Sequence, residues 1–179
     1  MILELALLAF IFGSDKKKPA TTITTTRRKM SYSIYKKTAP ISNNPGNIIY
    51  ANPRYYKGGL SNLSNGVVVF DTMANGTRAM ITTLFWYYNT LLKPNNFSIK
   101  GIISKWAPAD DGKNKYLRGN DEGIYTKTVS DLSGLGATEI LAWNKENLYS
   151  VCRAMCVQEH GLDAVTETIF NQAWNDLSK

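Results

Sequence analysis

"NKENLYSVCRAMCVQEHG", residues 144–161, decides the fold class of this chain. Asn144 is a residue type that caps helices, because its side-chain oxygen satisfies one of the first free amides. Leu148, Val151, Cys152, Met155 and Cys156 follow at three- and four-residue spacing and form one apolar stripe. Gly161 takes the left-handed conformation that stops a helix. The stretch therefore predicts a long amphipathic helix that ends at Glu159-His160-Gly161.

Its neighbours read the same way. "DAVTETIFNQAWNDL" supplies a further helix after it. Before it, "DEGIYTKTVSDLSG" predicts a helix with Ile124, Val129 and Leu132 facing inward and a glycine closing it. "SIKGIISKWAP" predicts a shorter helix, capped by Ser98 and ended before Pro108. "DTMANGTRAMITTLFWYYNTLL" predicts a helix from about Asn75 to Leu92, with Met80, Leu84, Tyr87 or Tyr88 and Leu91 on one face and Pro94 as its stop. Asp71 is read as its N-cap, and Arg78 as the partner of Asp71 on the helix face. "VVVFD" is a brief β-branched run, hence a strand or an extended segment leading into a cap. The domain is mainly α with little or no sheet. Leu84, Trp106, Val129, Leu148, Val151, Cys152, Met155 and Ile169 are the expected core, and Trp86 is read as core too.

Upstream lies "TAPISNNPGNIIYANPRYYKGG", residues 38–59, which cannot be a helix interior. Pro45 lacks an amide hydrogen, Gly46 favours positive φ, and Asn43, Asn44 and Asn47 bond their own backbone in turns. Tyr50, Tyr55 and Tyr56 follow at once. The run is either an ordinary loop or the rim of a groove for a polar ligand.

The 179 residues are 44% apolar, enough for one core, with a net charge of +7. That charge is unevenly placed. Residues 1–40 carry eight basic against two acidic groups, and residues 41–179 carry 13 against 12. The domain, 41–179, is nearly neutral, and the positive charge belongs to an extended N-terminal arm, 1–40. The arm opens with a short apolar helix, "MILELALLAFIFG", followed by "DKKKP". Thirteen helical residues reach about 20 Å, short of the ~30 Å hydrocarbon layer. No charge precedes the run and no small-residue cleavage site follows it, which argues against a signal peptide. Residues 1–18 suit a segment dipping into one membrane leaflet, or a helix packed on protein. The Thr-rich basic remainder suits an extended assembly arm that a partner surface orders.

Cys152 and Cys156 lie on the apolar stripe and read as buried reduced thiols. With one histidine and no third cysteine, a metal site is not expected, and no cofactor motif is present. Nothing marks a nucleophile elbow around His160.

"NNPGNI" (43–48), "VFDTMANGTRAM" (69–80) running on to "YYNTL", "GIISKWAP" (101–108), "YTKTVSDLSG" (125–134) and "RAMCVQEHG" (153–161) occur in that order. Together they resemble a family of phage and prophage minor structural proteins, itself similar to the lysozyme and lytic transglycosylase superfamily. The resemblance covers about residues 42–165. It implies a lysozyme-like helical domain in a minor virion protein of a tailless, icosahedral, membrane-containing phage, located at the capsid or the capsid–membrane interface. The alternative is an active virion-associated peptidoglycan hydrolase or lytic transglycosylase. A third reading, nucleic-acid association, would rest on the basic arm alone. The partners implied are other capsid proteins, the inner membrane through residues 1–18, and peptidoglycan.

In lysozyme-like enzymes the catalytic glutamate usually precedes the asparagine-rich turn. Here no acidic residue lies between Asp15 and Asp71. By type, Glu159 replaces it, at a helix end before a small-residue turn, and a permuted order would bring it to the same place. The resemblance implies Glu159 as the catalytic acid and Asn43, Asn44, Asn47, Tyr50, Tyr55 and Tyr56 as sugar-binding residues. The plain alternative for Glu159 is an ordinary last-turn residue.

Overall fold

A computed structural model describes residues 42–49, 52–63, 66–109 and 121–177. The expectations for the arm (1–40) and for Tyr50 lie outside these residues. Among the described residues no helix is long and apolar enough to cross a membrane.

The protein is mainly helical. Among the described residues a two-stranded antiparallel hairpin, β1 (Gly59–Asn62) and β2 (Val68–Phe70), precedes five helices. These are α1 (Met73–Trp86), α2 (Ile99–Trp106), α3 (Glu122–Ser133), α4 (Lys145–His160) and α5 (Glu167–Asn175). Helix α3 packs on α4 and α2, while α1 packs on α5 and α4. Short 3-10 turns occupy Pro53–Tyr55 and Pro94–Asn96.

Local chemistry sets the helix ends. Ser98, Asp121, Asn144 and Thr166 each accept a hydrogen bond from an amide of the first turn. Gly134 and Gly161 close α3 and α4 at φ of 74° and 69°. Helix α1 departs from expectation at both ends. It starts at Met73, and its cap is Thr72, which accepts from the Asn75 amide at 3.2 Å. Asp71 stands one residue too early for that role and accepts instead from Asn75 Nδ2 at 2.8 Å. At its far end α1 widens into a π-helical turn, Tyr87–Leu91. Arg78 does not meet Asp71 either. Its Nε donates to the Asp176 carbonyl at 3.2 Å, which ties α1 to the end of α5.

Two apolar clusters form the core. The larger joins Met80, Ile81 and Leu84 of α1 with Ile102, Ile103, Val129, Leu148, Val151, Cys152, Met155 and Phe170. The smaller holds Ile48, Val68, Phe70 and Ala79 beneath the hairpin. Trp106 packs against both clusters and its ring edge covers Gly46, yet it is half-buried rather than fully enclosed. Four other expected core residues are corrected. Trp86 is 52% exposed and Ile124 is 63% exposed. Ile169 is only half-buried, and so is Leu132, although Leu132 still packs on the core. The apolar faces of α1 and α3 are narrower than the run of large side chains suggested. Cys152 and Cys156 are buried and free.

Candidate active site at the end of helix α4

The asparagine-rich turn is held to the hairpin by hydrogen bonds. Asn44 is fully buried, and its Nδ2 donates to the carbonyls of Ile48 and Val68, both at 2.9 Å. Its Oδ1 accepts from the Ile48 amide at 2.9 Å. Asn43 Nδ2 donates to the carbonyls of Phe70 and Asp71 at 3.1 and 3.2 Å. Asn43 and Asn47 sit at φ of 51° and 53°, a left-handed backbone that asparagine tolerates better than other non-glycine residues. The amides of Val68 and Phe70 donate to Ile48 and Ser42, so the turn runs along β2.

The turn then docks on the helices at two glycines. Gly46 lies under Trp106, whose Nε1 donates to the Gly46 carbonyl at 3.1 Å. Gly76 of α1 lies against the Asn43 carbonyl, where a Cβ would come within 1.8 Å of that oxygen. Trp106 belongs to the site as a support. Its spacing on α2 marked it as core and carried no hint of that role.

The end of α4 meets this turn from the other side. Apolar Leu148, Val151, Cys152 and Met155 press α4 into the core, and Gly161 stops it, so its last two residues project at the rim. His160 Nε2 lies 2.9 Å from the Asn44 carbonyl, and the ring nitrogen donates there, because a carbonyl only accepts. Glu159 accepts from Asn47 Nδ2 through Oε2 at 3.3 Å and from the Tyr125 hydroxyl through Oε1 at 2.6 Å. Glu159 is half-buried, Asn47 is exposed, and Tyr125 is only 8% exposed.

The surroundings of the carboxylate are well defined. Burial first, then the Glu159 charge and hydrogen bond, holds the Tyr125 phenol well above its usual 10, so the phenol stays a neutral donor. One turn back on α4, burial pushes the Cys156 thiol up to about 11, and its Sγ donates to the Leu162 carbonyl at 3.4 Å. Asp163, the next acidic residue along the chain, is paired with Arg153 at 2.6 Å. The result is one carboxylate at a rim, with Asn47 and Tyr125 donating to it and the neighbouring His160 ring bound to the turn. Such a group can exchange a proton with a bound hydroxyl or ether oxygen.

The structure therefore brings together Glu159 and Asn47 and leaves the other sequence-predicted residues in different positions. Asn44 serves the fold, with its amide fully used inside the protein. Asn43 is half-buried and bound to backbone. Tyr56 packs edge-on against Phe70 at 5.9 Å between ring centres, and Tyr55 is 83% exposed. Tyr125 and His160 complete the cluster. Tyr125 was missed because its neighbour Ile124 was assigned to the inward face of α3. Two open cavities of about 330 Å³ each lie along α2 and α3, both lined by Lys100 and Glu122, and neither is lined by Glu159 or Asn47. Among the described residues no group of three or more His, Cys, Asp or Glu side chains is placed to hold a metal ion. No family model matches this chain, and no curated protein matches it.

Proposed function

We propose that this protein is a minor structural protein of a bacteriophage virion, tailless, icosahedral and membrane-containing, and that residues 41–179 are a lysozyme-like domain with Glu159 as its acid–base residue. The observation that carries the enzymatic part is the bond from Asn47 to Glu159, 112 residues apart in sequence. Chain ends so distant have no local reason to meet, and a carboxylate beside an exposed asparagine amide suits a glycan, whose hydroxyls and acetamides pair with both. In this reading protonated Glu159 gives its proton to the glycosidic oxygen as the bond to the anomeric carbon breaks. The substrate's own acetamide oxygen closes on that carbon; a hydroxyl of the same sugar, or water, then attacks the carbon as its bond to the acetamide oxygen breaks, and the carboxylate takes the proton of that hydroxyl. One carboxylate suffices. Tyr55, exposed near the turn in sequence, is available to stack on a sugar ring.

The virion role rests on the sequence resemblance and on the basic, Thr-rich composition of residues 1–40. The arm would hold the domain to other capsid proteins or, through residues 1–18, to the inner membrane. Nucleic acid would be met by the arm alone.

A second reading has its own support. Both Glu159 oxygens are bound within the chain, and His160 also grips the turn, so the cluster can serve purely as a clasp. Under that reading the domain is structural and does not cleave peptidoglycan. Muropeptide release by the full chain and by Glu159→Gln separates the two. Loss of an acid–base group lowers the rate about 10²–10⁴-fold or more. Equal activity in both proteins rejects Glu159, and no activity in either leaves the structural role.

A further inference from the structure

Asn47 and Tyr125, which both donate to Glu159, are not equivalent. Asn47 reaches Oε2 at 3.3 Å from an exposed turn, a long bond in contact with water. Tyr125 reaches Oε1 at 2.6 Å, in the range of a charge-assisted O–H···O bond. Its ring is buried between α3 and α4, next in sequence to buried Thr126 and one turn from buried Val129, so its hydroxyl has little freedom to swing away. A carboxylate fixed through one oxygen by a rigid donor presents its other oxygen in a defined direction.

We propose that Tyr125 is a positioning residue for Glu159: its buried hydroxyl holds Oε1 and so fixes the direction in which the carboxylate faces substrate. The proposal rests on the reading of Glu159 as the acid–base group. It has a second consequence. A hydrogen bond donated to a carboxylate favours its charged form, so the Tyr125 hydroxyl lowers the pH at which Glu159 takes up a proton. Among the described residues, the other groups near Glu159 include Asn47 from the turn, Cys156 and His160 on α4 itself, and Asp163, which is paired with Arg153. Cys156 keeps its proton through the neutral range, so it adds no charge there.

The test uses the full chain with carbon-13 at the glutamate carboxyls, the Glu159 signal being the one lost in Glu159→Gln. Tyr125→Phe removes one oxygen and keeps the ring. The Glu159 titration midpoint is expected to rise by about one pH unit in this variant. An unchanged midpoint overturns the proposal. A label on the tyrosine ring carbon that bears the hydroxyl gives the same answer without any substitution. In the native chain the Tyr125 signal must shift as Glu159 titrates, and a flat trace overturns the proposal even if Tyr125→Phe fails to fold. These readouts do not need turnover. A chain that shows both shifts and releases no muropeptide sinks the glycosidase reading and leaves Tyr125 holding Glu159. In an active chain the alkaline limb of the pH–rate profile, which reports the loss of the proton that Glu159 donates, moves up with the midpoint in Tyr125→Phe, and a limb that stays in place overturns the positioning role.

Discussion

Gly76 lies early in α1, at a helix position where glycine ordinarily costs about 1 kcal/mol relative to alanine. Its presence is explained by what lies outside the helix. A Cβ there would meet the Asn43 carbonyl oxygen at 1.8 Å and Pro45 Cδ at 3.0 Å, so the asparagine turn sits directly on the α1 backbone. Gly76→Ala is therefore expected to destabilise the protein by about 2 kcal/mol despite the better helix propensity, since backbone cannot move aside as a flexible side chain can. Urea unfolding measures this, and a gain in stability would contradict the docking. The glycine stood out in the sequence within "MANGTRAM", but its partner did not, because a backbone carbonyl leaves no mark on residue identity.

At the scale of the element, α3 shows how a helix can be recognised while its buried face is misjudged. The stretch was legible from its apolar spacing and closing glycine, and the structure adds Asp121 as its cap. Its buried face is Tyr125, Thr126 and Val129, and Ile124 points to solvent. Tyr125 takes the inward position because its hydroxyl has a carboxylate to meet, a contact that hydropathy alone would not favour. Thr126 is buried as well, and among the described residues its Oγ1 has no hydrogen-bond partner. An unsatisfied buried hydroxyl costs about 1–3 kcal/mol, while a methyl group in the same space costs little. Thr126→Val is accordingly expected to stabilise the protein by about 1 kcal/mol, raising Tm by about 3 °C. A fall in Tm would show that the hydroxyl has a partner.

Across the whole molecule, alkaline pH should be the limiting condition. Burial pushes the Cys152 thiol far up, Cys156 to about 11, Tyr87 to about 12 and Tyr125 well above 10. Unfolded, the thiols lose protons from about 9 and the phenols from about 10. Between those values and the folded ones the unfolded chain binds fewer protons, so stability falls as pH rises. The slope is about 1.4 kcal/mol per pH unit for each proton held back. Thermal unfolding under reducing conditions should therefore show a Tm that declines from pH 9 upward, and a level Tm to pH 11 would contradict the buried titrations. The sequence by itself determined the helical class, the positions of α2 to α5, most of their caps and the burial of the cysteine stripe. All of these depend on spacing and on residues within one turn of each other, where local sterics and hydrogen bonding decide. Only the tertiary structure decided that Glu159 meets Asn47 and Tyr125, that Asn44 is wholly occupied inside the fold, and that Trp86 faces water while Trp106 supports the turn. Those outcomes depend on how α1, α2, α3 and α4 pack against one another and against the asparagine turn. Packing joins residues far apart in the chain, and no short stretch records its partner.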